Sequence, residues 1–244
     1  MDRFGSILRE LLGNKRFLII SGAVITATVL TVCIIVLCIG EEPVRKEPRV
    51  ISLTIEAPDN IPLEEKERIV YESLVKAGYS SAAACGMMGN IAVESPDFDP
   101  TVINESNGAF GLFQWTDVGN RQQKLKDFCM EHAMNYGSIE GQIAFAVYEL
   151  SGADPIATRL DDFLKETDDA YAACAEFTAG FERCISDAGQ SKDIYAGSLY
   201  PEFYGEHYQK LSKRINKAMN YYERFGNNAD TGSEESSEVY ITIE

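Results

Sequence analysis

Residues 17–39, FLIISGAVITATVLTVCIIVLCI, contain no charged side chain. A helix rises about 1.5 Å per residue, so the run is long enough to cross the roughly 30 Å of a bilayer's hydrocarbon. A helix lying on a globular core would keep a polar face, and this one has none. It reads as one transmembrane helix. A cleavable signal peptide has a shorter apolar stretch and ends in small residues. Here Gly40-Glu41-Glu42-Pro43 follows, and Leu37 before Cys38 fits a lipoprotein site poorly. An uncleaved signal anchor is therefore expected. Arg3, Arg9, Lys15 and Arg16 precede it, while Arg45, Lys46 and Arg49 follow it. That excess puts the N-terminus inside the cell. The expected location is the cell membrane, single-pass, with the rest of the chain extracytoplasmic.

The organisation follows: a cytoplasmic head at 1–16, the anchor at 17–39, a linker at 40–62, a folded domain at 63–226 and an acidic tail at 227–244. The linker carries Pro43, Pro48, Pro58 and Pro62, which favour extended chain. Val50–Ile55 and Val239–Ile243 have strand character, and nothing in the sequence requires them to pair. From 63 to 77 the pattern is that of an amphipathic helix stopped by Gly78. Ser80 or Ser81 can cap a second helix over 82–93. Pro96, Pro100, Gly108 and Gly111 then break the helical period over 96–117, which suits a small β-hairpin or loop. Helices are predicted at 119–135, 138–151, 156–166 and 168–180. A last one should start with Pro201 at its first position and end near Phe225, before Gly226. This is an α+β pattern, mostly helical.

The formal net charge of -16 excludes nucleic acid as a partner, since phosphate binding needs clustered Lys and Arg. It also rules out electrostatic attraction to an anionic polymer, so such a substrate would be held by shape and hydrogen bonds. The two histidines, His132 and His207, sit in no HExxH motif, and there is no CxxC. Cys129 and His132 would supply two ligands at most, so no metal or other cofactor is expected.

Chemistry concentrates at Glu94, which closes the apolar helix Cys85-Gly86-Met87-Met88-Gly89-Asn90-Ile91-Ala92-Val93-Glu94. A helix C-terminus and apolar surroundings both disfavour a carboxylate's charge. They would leave a protonated acid, the state a glycosidase needs to protonate a leaving oxygen.

The next stretch, Asn104-Glu105-Ser106-Asn107-Gly108-Ala109-Phe110-Gly111-Leu112-Phe113-Gln114-Trp115-Thr116, completes a resemblance to the lysozyme superfamily. The helix ending Gly-Asn-Ile-x-x-Glu-Ser and the Gly-Ala-Phe-Gly-Leu-Phe-Gln-Trp segment carry it. So does Ser138-Ile139-Glu140-Gly141-Gln142-Ile143, followed by Tyr148-Glu149-Leu150. Over about residues 65–190 the chain is similar to the phage-tail-lysozyme type, and its first two motifs look like those of lytic transglycosylases. The resemblance implies a lysozyme-like domain with a small β-hairpin, acting on peptidoglycan glycan strands. It makes Glu94 the general acid and Ser95 a short hydrogen-bond partner for its carboxyl. Gln114 would meet sugar hydroxyls or an N-acetyl group, and Phe110 and Trp115 would form an apolar platform for sugar faces, with core packing the alternative for Trp115. Phe181-Glu182-Arg183-Cys184 looks like the family's Phe-Glu-Arg-Pro with cysteine for proline, and Glu182 is read there as a structural ion-pair partner, with a catalytic role the alternative.

The expected reaction is muramidase cleavage of the β-1,4 bond between N-acetylmuramic acid and N-acetylglucosamine. It would serve local wall opening by a phage or by a conjugation or secretion machine, the machinery being a candidate partner. Asp97, Asp99, Glu105 and Asp117 are candidates for a second carboxylate. A lytic transglycosylase needs none and leaves 1,6-anhydro ends. The tyrosine motif of those enzymes is missing at Glu176-Phe177-Thr178-Ala179-Gly180. Two rivals remain: a non-catalytic glycan-binding envelope component, and a cysteine peptidase using Cys85 and His132. Outside the cell the four domain cysteines would form disulfides, expected as Cys174 with Cys184 and Cys85 with Cys129.

Overall fold

The computed structural model describes residues 46–55, 61–191, 199–203, 206–226 and 239–243. The head and anchor, residues 1–39, and most of the acidic tail lie outside these. Among the described residues no helix is long and apolar enough to cross a membrane. The helices are α1 (Leu63–Lys76), α2 (Ser81–Glu94), α3 (Arg121–Glu131), α4 (Ile139–Tyr148), α5 (Leu160–Glu166), α6 (Ala170–Phe177) and α7 (Leu211–Tyr221). The strands are β1 (Ile51–Ile55), β2 (Ile185–Ser191), β3 (His207–Tyr208) and β4 (Val239–Ile243). They pair antiparallel as β1 with β4 and β2 with β3.

Helix α2 is the axis of the domain. The Ser80 side chain accepts from Ala83 N at 3.0 Å and starts it. Every residue from Ala82 to Val93 is buried, as befits a helix apolar on all sides. It packs against α6 and α7, and two glycines allow the close approach. A Cβ on Gly86 would stand 2.7 Å from the Ala173 Cβ and the Cys174 nitrogen. A Cβ on Gly89 would stand 2.6 Å from the Arg214 carbonyl oxygen and 2.8 Å from the Ala218 nitrogen. Backbone atoms of a packed helix cannot step aside. Gly89→Ala should therefore lose stability, because overpacking costs about 1–3 kcal/mol and the better helix propensity of alanine returns at most about 1. A lower urea midpoint at unchanged slope is the expected result. A midpoint at or above wild type would refute the close contact.

The stretch 96–117 is less regular than a hairpin of two strands. It holds only the bridges Ile103–Phe110 and Phe110–Trp115, and a side chain organises it. Buried Gln142 of α4 donates to Pro100 O (2.6 Å) and Tyr136 O (2.8 Å) and accepts from Leu112 N (2.8 Å). Gly111, at φ 78°, faces that amide so closely that a Cβ would meet it at 2.5 Å.

Three expectations need correction. The last helix begins at Leu211, not Pro201, because Pro201–Phe203 is a single 3-10 turn and β3 intervenes. The expected linker is docked along part of its length: Ile51 and Leu53 are buried, and Arg49 bonds Asp161 (2.7 Å) and Ala77 O (2.8 Å). The pairing of β1 with β4, which the sequence left open, runs from Ile51–Ile243 to Ile55–Val239. The expected disulfides are absent: Cys85, Cys129, Cys174 and Cys184 are all free. Cys174 faces Asn90 of α2 and Cys129 faces Gly141 of α4. They pack as small apolar groups, and burial pushes the Cys85 and Cys174 thiols up to about 12.

Candidate active site

α2 ends at Glu94 because Ser95 leaves helical space at φ -133° and ψ 87°. The Ser95 hydroxyl closes the turn onto Asp99, accepting from its N–H (2.8 Å) and donating to its carbonyl (3.0 Å). Ser95 thus shapes the exit from the helix and does not take the role expected of it, holding the Glu94 carboxyl. Another residue does. Asn90 and Glu94, four apart, share a helix face, and Arg214 of α7 meets both. Its Nη2 donates to Glu94 Oε1, its Nη1 to Asn90 Oδ1 (3.1 Å) and its Nε to Gln209 O (3.0 Å). Thr178 donates to the same Asn90 oxygen at 2.8 Å. The apolar niche expected around Glu94 is therefore occupied by a guanidinium only 2% exposed. Sequence reasoning missed Arg214, yet a signal was there. It falls on the stripe Leu211, Ile215, Ala218, where the helical period calls for an apolar residue.

Glu94 opens onto a cleft of about 470 Å³, whose lining includes Asn104, Asn107, Gln114, Arg121 and Glu182. Gln114 is held left-handed at φ 49°, with its amide nitrogen on Gly111 O at 2.9 Å. Asn104 and Asn107 close turns with their side-chain oxygens on Ser106 and Ala109. Trp115 and Phe110 do not form a platform. Trp115 is 0% exposed and donates to Glu149 Oε2 at 3.0 Å. Phe110 is buried against Tyr136 and is not part of the cleft lining. Arg121 grips Glu149 with two bonds of 2.8 Å and reaches Phe181 O at 3.1 Å.

None of Asp97, Asp99, Glu105 and Asp117 lines this cleft. Asp97, Glu105 and Asp117 are exposed, and Asp99 accepts from Thr101 at 2.8 and 2.7 Å. The acids that share the cleft with Glu94 are Asp154 and Glu182. Burial alone would raise Asp154, but Arg183 and the N–H groups of Ala157 and Ile156 outweigh it and hold the carboxyl below its ordinary value. Glu182 does not take the ion-pair role expected of it. Among the described residues it joins no ion pair, and its buried Oε1 has no hydrogen-bond partner. Burial, then the charge of Glu94, push this carboxyl up to about 8 against the pull of Arg214 and Arg121. The peptidase rival finds no support: Cys85 is fully buried, and His132 lies against Phe128 in a tilted ring contact at 4.6 Å, away from the cleft lining.

A mostly helical α+β domain with a helix-end glutamate opposite a glycine-turned loop belongs to the lysozyme-like class. Comparison with protein families is specific: the chain belongs to the phage tail lysozyme family, whose model matches residues 65–225. No curated protein matches it. It is a lysozyme-type domain, and peptidoglycan is the substrate on which that class acts.

Proposed function

We propose that this cleft is a muramidase site. It hydrolyses the β-1,4 bond between N-acetylmuramic acid and N-acetylglucosamine, with Glu94 as a catalytic carboxylate. The observation that carries the reading is the position of Glu94 at the end of the buried helix, sharing one cleft with Gln114, Asn104 and Asn107. Side-chain amides recognise hydroxyl and N-acetyl groups without needing charge, which suits a chain of net charge -16. The uncharged run at 17–39 supports a membrane-anchored, extracytoplasmic enzyme that opens the wall locally for a phage, conjugation or secretion machine.

The products test the reaction. Peptidoglycan digested by the full chain should release fragments with reducing N-acetylmuramic acid ends, read by mass spectrometry. Fragments with 1,6-anhydro ends would mean a lytic transglycosylase. Binding to glycan without release of fragments would mean a non-catalytic component.

A further inference from the structure

We propose that Glu182 is the second carboxylate of this site and holds the proton delivered to the glycosidic oxygen, leaving Glu94 to activate water. The proposal rests on the cleft being a glycosidase site. Two arginines approach the cleft, and the hydrogen bonds they make go to other groups. Arg214 directs its three nitrogens to Glu94, Asn90 and the Gln209 carbonyl. Arg121 directs its nitrogens to Glu149 and the Phe181 carbonyl. Glu182 receives a hydrogen bond from neither, and its buried Oε1 stays without a partner among the described residues. An ionised carboxylate would leave Oε1 buried without a donor, whereas the neutral acid carries a smaller penalty there and has a proton to offer.

The backbone brings Glu182 there by an uncommon route. Helix α6 runs on into a π-turn, Thr178–Glu182, which ends at Arg183 with a left-handed φ of 53°. Arg183 is then fixed by its ion pair with Asp154. Such turns and strained residues cluster at functional sites. The carboxyl raised by burial and by the nearby Glu94 charge agrees with this division of roles.

The step balances. The Glu182 proton passes to the glycosidic oxygen as the bond to the anomeric carbon breaks, and the electron pair stays with that oxygen. The oxygen of one water bonds to the anomeric carbon, and its proton passes to Glu94. Exchange with solvent then returns a proton to Glu182 and removes one from Glu94.

The test compares two leaving groups. A sugar alcohol leaves only if protonated, whereas dinitrophenolate leaves unaided. The full chain and its Glu182→Gln and Glu94→Gln variants are assayed on peptidoglycan and on a dinitrophenyl β-glycoside of an N-acetylglucosamine oligomer. Glu182→Gln should lose at least ~10²-fold on peptidoglycan, the low end for a general acid, and far less on the aryl glycoside. Glu94→Gln should lose on both. Because the acid must be protonated to act, wild-type activity should be present below about pH 8 and fall as pH rises through that value, a limb that Glu182→Gln should lack. Equal losses by Glu182→Gln on both substrates, or none on peptidoglycan, would overturn the proposal. Sparing of Glu94→Gln alone on the aryl glycoside would reverse the two roles and overturn it as well. Wild type inactive on both substrates would instead reject the muramidase reading beneath it.

Discussion

Glu94→Gln is expected to lower the rate of glycan cleavage at least ~10²-fold, within the range that positioned acids and bases contribute. The substitution keeps the side chain's shape and its oxygen acceptor. Arg214 can still donate to that oxygen, and its bonds to Asn90 and Gln209 O are untouched. What disappears is the ability to take up or release a proton within the cleft. Glycan binding should persist, because the hydrogen-bonding amides of the lining are unchanged. The loss should therefore appear in kcat with little movement in KM, the pattern of an interaction made only in the transition state. Release of soluble fragments from purified peptidoglycan measures it, and wild-type activity in this variant would reject the assignment of the cleft.

The second large effect concerns stability. The Glu149 side chain is 4% exposed and its partner Arg121 is 15% exposed. Both Glu149 oxygens accept from Arg121, and one also accepts from Trp115. Glu149→Leu would leave a guanidinium and an indole N–H without their partner in the interior. Removing one side of a buried pair costs on the order of 3–5 kcal/mol. The double variant Arg121→Met with Glu149→Leu should recover much of that, since an apolar replacement of both partners strands no charge. Denaturant midpoints measure both, and a double variant no more stable than the single would show that the loss lies in packing rather than in the stranded charge. In the single variant, cleavage should also suffer, because the guanidinium that holds Phe181 O sits one residue from Glu182.

Local rules explain what the sequence made legible. Helix ends were readable at Gly78 and Ser80 because one residue type decides each. Glu94 was readable because it interrupts an apolar helix at its end. Strand β2 was not readable: Ile185 is its only β-branched residue, and its pairing depends on Tyr208, about twenty positions on. In sequence Ser95 reads as a partner of Glu94, and Phe110 and Trp115 as sugar contacts, because serines and aromatics serve turns, cores and sites alike. Burial, which tertiary packing decides, separates those uses. Asp97, Asp99, Glu105 and Asp117 are close to Glu94 in sequence, whereas the fold brings in Glu182 from across the chain. The same holds for Arg214, 120 positions from the carboxylate it binds.

Trp115 is the one tryptophan in the chain. It lies in a nest of rings, 5.1 Å from Phe113 and 5.6 Å from Phe145 between centroids. Its N–H is tied to the carboxylate that anchors Arg121. Tryptophan emission from this protein, excited at wavelengths where tyrosine hardly absorbs, therefore originates at a single address, immediately behind the loop that carries Gln114. No label is needed to follow that loop. A shift of the emission maximum on adding glycan would register movement of the cleft wall itself, and stopped-flow fluorescence could time it against bond cleavage.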